Sequence, residues 1–450
     1  MATLTTYLLQ EIRKRMEDHL NKTGKNIVIC FDGTGNEFNE ELTNIVKLYR
    51  MLEREPSKQV TYYDPGVGTI GDQTLKTKIA KRINKMLGAA FGKGVITNVM
   101  EAYSFLMNHY DDGDKVFIFG FSRGAYTARA LAAFIKECGL FETGASNLFP
   151  YALKLFHEKA PKDGEAKTNF FKKRSSFRST YGRLVNRKGD PRDSTNKEPN
   201  YQLRIHFLGL FDTVKSYGSI RNPVVLRNEE ENPSVLNVRH AISIDEKRAF
   251  FPQMHWKATK KFQTCKEVWF AGVHSDVGGG YHESKSSLAK VSLEWMTHEA
   301  MSMGLMVNRK RYKKALRKEQ EGQEWVDLPH QMEGNKIKYA APDPKAAANE
   351  SLIGGWKFIQ LFPRKLEPWQ TSKSIRTIKN QHDRLQTEEE ELNPFLIHES
   401  VIERLSDLTI GYQPKNLLSV IGSDINKIPT KKIEKTISTE EAFNLQNSLE

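Results

Sequence analysis

At 450 residues and 51.6 kDa, the chain has length for one elaborated domain or two ordinary ones. A hydrophobic fraction of 38% and a mean hydropathy of −0.57 imply long polar insertions, and no apolar run reaches the roughly 20 residues of a membrane-spanning helix. The net charge of +13 favours anionic partners, while Cys30, Cys138 and Cys265, without metal or disulfide spacing, read as free thiols.

The N-terminal residues Leu8, Leu9, Ile12, Met16 and Leu20 follow a helical period, so an amphipathic helix is expected within residues 1–25. Charges inside that pattern and the lack of a small-residue cleavage site argue against a signal peptide, which predicts synthesis in the cytoplasm. "NIVICFDGTGN" then reads as a buried strand ending in a Gly-rich turn, and "NEELTNIVKLYRML" resumes helical spacing. "QVTYYDPGVGT", "KVFIFGFSRGA", "LRIHFLGLFDTV" and "CKEVWFAGVHSDVGGGY" repeat the pattern of apolar strand and polar loop. Between Thr143 and Asn200 the chain is basic, with thirteen Lys or Arg against five Asp or Glu from Lys154 to Lys197. That segment is expected as an insertion and a candidate lid. A second insertion is expected over 320–350, and a polar tail over 422–450.

Strands that are apolar throughout and alternate with helices indicate a mostly parallel sheet covered on both faces, an α/β fold. In such sheets ligands bind beyond the carboxyl ends of the strands. Asp32, Thr34, Asp64, Ser122, Asp212, His274 and Asp276 all fall at those ends.

Within "GFSRG", Ser122 is flanked by Gly120 and Gly124 between a buried strand and a small-residue helix. This is the pattern of a nucleophile elbow, a turn so tight that side chains two residues either side of the serine would collide. A serine hydroxyl needs a base, and the base an orienting acid. Asp212 and His274, each closing a later strand, are the first candidates. Asp276 is an alternative acid and His398 an alternative base, with His240 and His282 weaker. The backbone N–H groups of Arg123, Gly33 and Thr34 are expected to form an oxyanion hole. Carboxylates Asp32, Asp64 and Asp276 on one rim suit a hard cation, a lesser reading beside a metal-free site. "GAAFGKG" lacks the spacing of a phosphate-binding loop, and no H-E-x-x-H is present.

Seven ordered motifs carry a family resemblance: "FDGTGN", "YYDPGVGT", "GFSRGAYTAR", "GLFDTV", "VRHAISIDEKRAFFPQ", "EVWFAGVHSDVGGGY" and the late "IHESVIERL…GYQPKNL". Over about residues 26–417 the chain resembles the α/β-hydrolase group that contains the type VI secretion phospholipase effectors, Tle-one-like. The resemblance implies an α/β-hydrolase fold with Ser122 as nucleophile, Asp212 as acid and His274 as base. It also implies phospholipase A1 or A2 activity without a cofactor, and a secretion apparatus or immunity protein as partner. The expectation is therefore a serine esterase acting on glycerophospholipids, drawn to anionic membranes by its basic insertion and not binding nucleic acid. A soluble-ester or sugar-ester hydrolase, and a non-enzymatic module binding anionic ligands, are the alternatives.

Overall fold

Strands apolar on both faces need cover on both faces, and the helices of this chain supply it. The computed structural model describes residues 24–33, 41–66, 91–185, 202–214, 218–219, 222–223, 230–248, 251–318, 339–353, 395–422 and 428–449. The stripe from Leu8 to Leu20 and Thr34 lie outside them.

In chain order come β1 (Asn26–Phe31), α1 (Asn44–Met51), β2 (Gln59–Asp64), α2 (Phe91–His109), β3 (Lys115–Phe121) and α3 (Arg123–Cys138). Then follow α4 (Phe149–His157), α5 (Gly164–Tyr181), β4 (Ile205–Phe211), and a two-residue ladder of β5 (Gly218–Ser219) with β6 (Asn222–Pro223). β7 (Val235–Ser243), β8 (Thr264–Phe270), α6 (His274–Gly278), α7 (Ser287–Met301) and α8 (Arg309–Ala315) complete the middle of the chain. The last elements are β9 (Phe395–His398), α9 (Glu399–Ser406), α10 (Lys415–Ile421), β10 (Ile433–Glu434) and α11 (Thr439–Ser448).

Eight of these strands form one sheet in the order β10-β9-β8-β7-β4-β3-β1-β2, with every neighbour pair parallel. The α/β fold with a parallel sheet read from the sequence is thus the fold observed. Alternate side chains divide between two cores, as the strand period requires. Ile27, Ile29, Val116 and Ile118 pack with α2, α3 and α4 on one face. Val28, Cys30, Phe117 and Phe119 pack with α1, α7, α8 and α11 on the other. All three cysteines are free and buried. Among the described residues no helix is long and apolar enough to cross a membrane.

Parallel pairing puts every strand's carboxyl end on one rim. The chain moves from β1 outward to β2 but from β3 in the opposite direction to β4, so the order reverses between β1 and β3. Such a switch point opens a crevice. Asp32, Gly33 and Ser122 stand at its edges.

The basic insertion behaves differently from the expectation. Its described part forms α4 and α5, clamped to the end of α3 remote from the rim. Buried Arg174 donates from Nε to Glu137 at 2.7 Å, and Arg178 bonds the carbonyls of Lys136 and Glu137. Arg183 bonds the carbonyls of Met107 and Tyr110 at the end of α2. Glu137 lies fourteen residues beyond Arg123 along α3, about 20 Å at the helical rise. These anchors lie at the far end of α3 from Ser122, and three of the segment's cations bind protein groups.

The end of the second insertion, by contrast, reaches the rim, where Asn349 and Ser351 bond Asp276 and Glu246. The expected polar tail is also structured. β10 extends the sheet beside β9, and Lys266 donates to Glu434 at 2.7 Å. In α11, Ala442 and Phe443 are buried, Phe443 edge-on to Tyr312. Composition missed this because two apolar residues suffice to seat a short amphipathic helix. Phe443→Ala should therefore cost about 3 kcal/mol, read as a lower urea midpoint with an unchanged slope. An unchanged midpoint would put α11 outside the cooperative unit.

Candidate active site

β3 is buried to its tip, and the chain then turns at Ser122 with φ 57° and ψ −119° into α3. A left-handed φ on a non-glycine residue is costly and needs surrounding structure to hold it. The Ser122 N–H donates to the Phe211 carbonyl at 3.0 Å, which anchors the turn to β4. The flanking glycines are required by close approach. A Cβ on Gly120 would stand 2.5 Å from the Gly124 carbonyl oxygen, and one on Gly124 would stand 2.3 Å from that of Phe31.

Asp212 closes β4 in the same manner, with φ 41°. Its N–H donates to the Ala241 carbonyl at 2.7 Å, and its carboxylate accepts from the Ser243 N–H at 3.0 Å and the Ser243 hydroxyl at 3.2 Å. His274 opens α6 after β8. Its Nδ1 lies 2.5 Å from Asp212 Oδ2 and its Nε2 lies 2.8 Å from Ser122 Oγ. An ionised carboxylate only accepts, so Nδ1 carries the proton and Nε2 is left to accept from the serine hydroxyl. Three side chains predicted from separate strands are thus joined in one hydrogen-bonded line.

The imidazole lies between Phe121 and Phe251, with ring centroids 4.7 and 5.0 Å away. Burial lowers its proton affinity, and Asp212 opposes that by favouring the imidazolium. The net shift is downward, so the neutral form prevails at pH 7.

The rivals are occupied elsewhere. Asp276 accepts from the Val273 N–H at 3.1 Å and from the Asn349 N–H and side-chain amide at 3.0 and 2.6 Å, holding the loop rather than the base. His398 caps α9 by accepting from the Ser400 N–H, meets the Ser400 and Thr436 hydroxyls, and stacks on Phe270. His240 sits behind the acid, accepting from the Thr213 N–H at 3.2 Å and facing Glu267 at 2.8 Å. His282 caps a short turn by accepting from the Ser284 N–H.

Among the oxyanion donors, Arg123 N–H is at the first turn of α3, where helical donors point outward. Gly33 is placed differently. Its N–H donates to Asp32 Oδ1 at 2.6 Å, which removes it from the expected donor set. What brings Gly33 to the site is proximity, since a Cβ on it would lie 3.7 Å from Ser122 Cβ. Asp32 is buried and anchored by the Thr43 and Tyr63 hydroxyls at 2.8 Å each. Asp64 accepts from the Gly66 N–H and Asn98. The three carboxylates weighed as a cation site are thus separately engaged, and among the described residues no three His, Cys, Asp or Glu side chains cluster to hold a metal.

Over residues 25–299, more than half of its length, the sequence matches the family described as T6SS, phospholipase effector Tle1-like, catalytic domain. The chain belongs to that family. It is also 33% identical over 240 residues to an uncharacterised protein of Saccharomyces cerevisiae, a match covering 52% of this chain and 33% of that one. The Tle1-like chain thus spans about a third of that relative's length. A crystal structure of an uncharacterised Pseudomonas aeruginosa protein aligns at 19% identity over 67% of this chain and 49% of its own, with a TM-score of 0.38. The structure of the Tle1 effector bound to the VgrG spike of the type VI secretion system aligns at 20% identity, over 59% and 53%, with a TM-score of 0.32.

Sequence reading missed Ser243, Glu246 and Phe251, which surround the acid and base. All three lie in "VRHAISIDEKRAFFPQ", whose place in the family pattern was visible without any role for its residues.

Burial holds the His398 imidazole at about 3, far below the 6.5 of a free histidine. Between those values the unfolded chain binds a proton that the folded chain does not, so stability falls as pH falls through that window. His398→Asn keeps a capping side chain and removes the proton. Its urea midpoint should decline less steeply on acidification than that of wild type, and parallel declines would refute the assignment.

Proposed function

We propose that the Tle1-like domain is a serine hydrolase of carboxylic esters, with Ser122 as nucleophile, His274 as general base and Asp212 as its orienting acid. The observation that carries this reading is the continuous line from Ser122 Oγ through His274 to Asp212, at 2.8 and 2.5 Å. Family membership supports glycerophospholipids as substrates and fatty-acyl ester cleavage of the A1 or A2 type. It likewise supports a type VI secretion apparatus, or a cognate immunity protein, as partner, and delivery to a target cell.

His274 Nε2 takes the Ser122 proton as Oγ attacks the acyl carbonyl. Negative charge gathers on the carbonyl oxygen, where the Arg123 N–H and the positive end of α3 stabilise it. Collapse expels the lysophospholipid alkoxide, which receives the proton from His274. Water, deprotonated by the same imidazole, then hydrolyses the acyl-serine and releases the fatty acid. Asp212 holds the ring's tautomer and stabilises the transient imidazolium.

Lipid must reach the rim where Ser122 sits. The arginines that anchor α5 bind at the far end of α3 from that rim. The membrane contact expected of the basic insertion therefore finds no support in its described part.

Fatty-acid release from phosphatidylcholine and phosphatidylglycerol vesicles, by wild type and Ser122→Ala, tests the proposal. Release should fall more than about 1000-fold in the variant. With wild type, kcat/KM should rise through an ionisation below pH 6.5, as neutral His274 forms. Ser122-dependent cleavage of a short soluble ester without lipid release would keep the triad and discard the phospholipid. Turnover of neither would favour a binding module.

A further inference from the structure

The loop after β7 contains a second carboxylate committed to the base, and nothing in the triad accounts for it. Glu246 is buried, and five donors converge on its two oxygens. They are the His274 N–H at 3.2 Å, the Arg248 N–H at 2.7 Å, Arg248 Nε and Nη2 at 2.9 Å each, and the Ser351 hydroxyl at 3.0 Å. The Arg248 guanidinium in turn lies 3.9 Å over the Phe251 ring, and that ring is the one that meets the His274 imidazole edge-on.

The need for this arrangement follows from local structure. α6 is five residues long and its N-cap, Val273, supplies no side-chain acceptor. First-turn N–H groups have no carbonyl partner within their own helix, and Asp276 caps the N–H of Val273 but not that of His274. Glu246 accepts that N–H from a different loop. Backbone and ring of the base are thus both held by the segment Glu246 to Phe251.

We propose that Glu246 and Arg248 are a positioning pair for the base: Glu246 fixes the backbone of His274, and Arg248 fixes Glu246 and Phe251, so that Nε2 stays within reach of Ser122. This rests on the hydrolase reading above. The pair also bears on the charge of the imidazole. Burial lowers its proton affinity most and Asp212 raises it, while Arg248 lowers it and Glu246 raises it. Further charged groups close by are Asp276, two residues on in α6, Asp245, which lies close to Asp276, and Arg123, next to Ser122.

Full-length Glu246→Gln, Glu246→Ala and Arg248→Gln separate this role from simple support of the fold. The readouts are thermal midpoint, the rate at which a fluorophosphonate labels Ser122, and kcat and KM for a short p-nitrophenyl ester against pH. Glu246→Ala should slow labelling and lower kcat by about 10- to 100-fold, with KM within about twofold. Glu246→Gln keeps one acceptor for the His274 N–H and should lose less. Removing the negative charge should move the acid limb of its pH profile downward, and Arg248→Gln should move that limb upward. If Glu246→Ala fails to fold, the two Gln variants still decide. Both limbs coinciding with wild type, with rates within twofold, would overturn the positioning role while leaving the hydrolase intact. Absence of labelling in wild type would instead overturn the hydrolase reading and the positioning role together.

Discussion

The site depends on one close crossing, where the end of β1 passes over the first turn of α3. The carbonyl oxygens of Phe31 and Asp32 occupy the space a side chain at Gly124 would need. This contact fixes how far Ser122 projects beyond the sheet and how near Gly33 comes to it. It also locks the left-handed backbone at Ser122, which costs roughly 1–3 kcal/mol and would relax in a looser turn. A second left-handed residue, Asp212, is locked by β7 in the same way, through Ala241 and Ser243. Ser122 and Asp212 are thus both held in unfavourable conformations by neighbouring parallel strands. Backbone rigidity at the rim follows from burial below it.

Burial also sets the chemistry of the base. An imidazole between Phe121 and Phe251 loses hydration and so resists protonation, while the adjacent Asp212 favours it. Desolvation wins, which leaves a neutral base able to accept a proton near pH 7. The partner carboxylate then limits how far that depression goes, so the ring can still hold the proton it must later return. A ring in a fully apolar pocket would be neutral but too weak a base to take up the proton. In the proposed mechanism, the balance of the two effects lets one ring serve both half-reactions.

Much of this was legible along the chain because the relevant signals are local. Each strand is a short apolar run, each rim residue ends one, and the elbow glycines flank Ser122 within five residues. Parallel strands order those ends along a line, so Asp212 and His274 could be named before any distance was known. The remainder depends on contacts between distant segments. Nothing near Gly33 in sequence announces that Asp32 takes its N–H. Glu246 was hidden because a carboxylate two residues from an arginine resembles a surface ion pair, yet its partners include His274 and Ser351, 28 and 105 residues away. The basic insertion misled for a related reason: charge counts do not reveal that Arg174, Arg178 and Arg183 bind buried groups at the end of α2 and α3.

Those arginines also separate two properties that composition had joined. Positive charge on a lipid-acting protein invites the inference that charge and catalysis share a face. Here α3 points away from Ser122, and whatever packs on its far end is displaced by the helix's length. A long-range field can still raise encounter rates from any face, but screening over about 8–10 Å in physiological salt leaves little of it after some 20 Å. Cations anchored at the far end of α3 therefore contribute little to orienting the rim toward a bilayer. Orientation would have to come from groups nearer Ser122, where Lys247, beside Glu246, is already paired with Glu350.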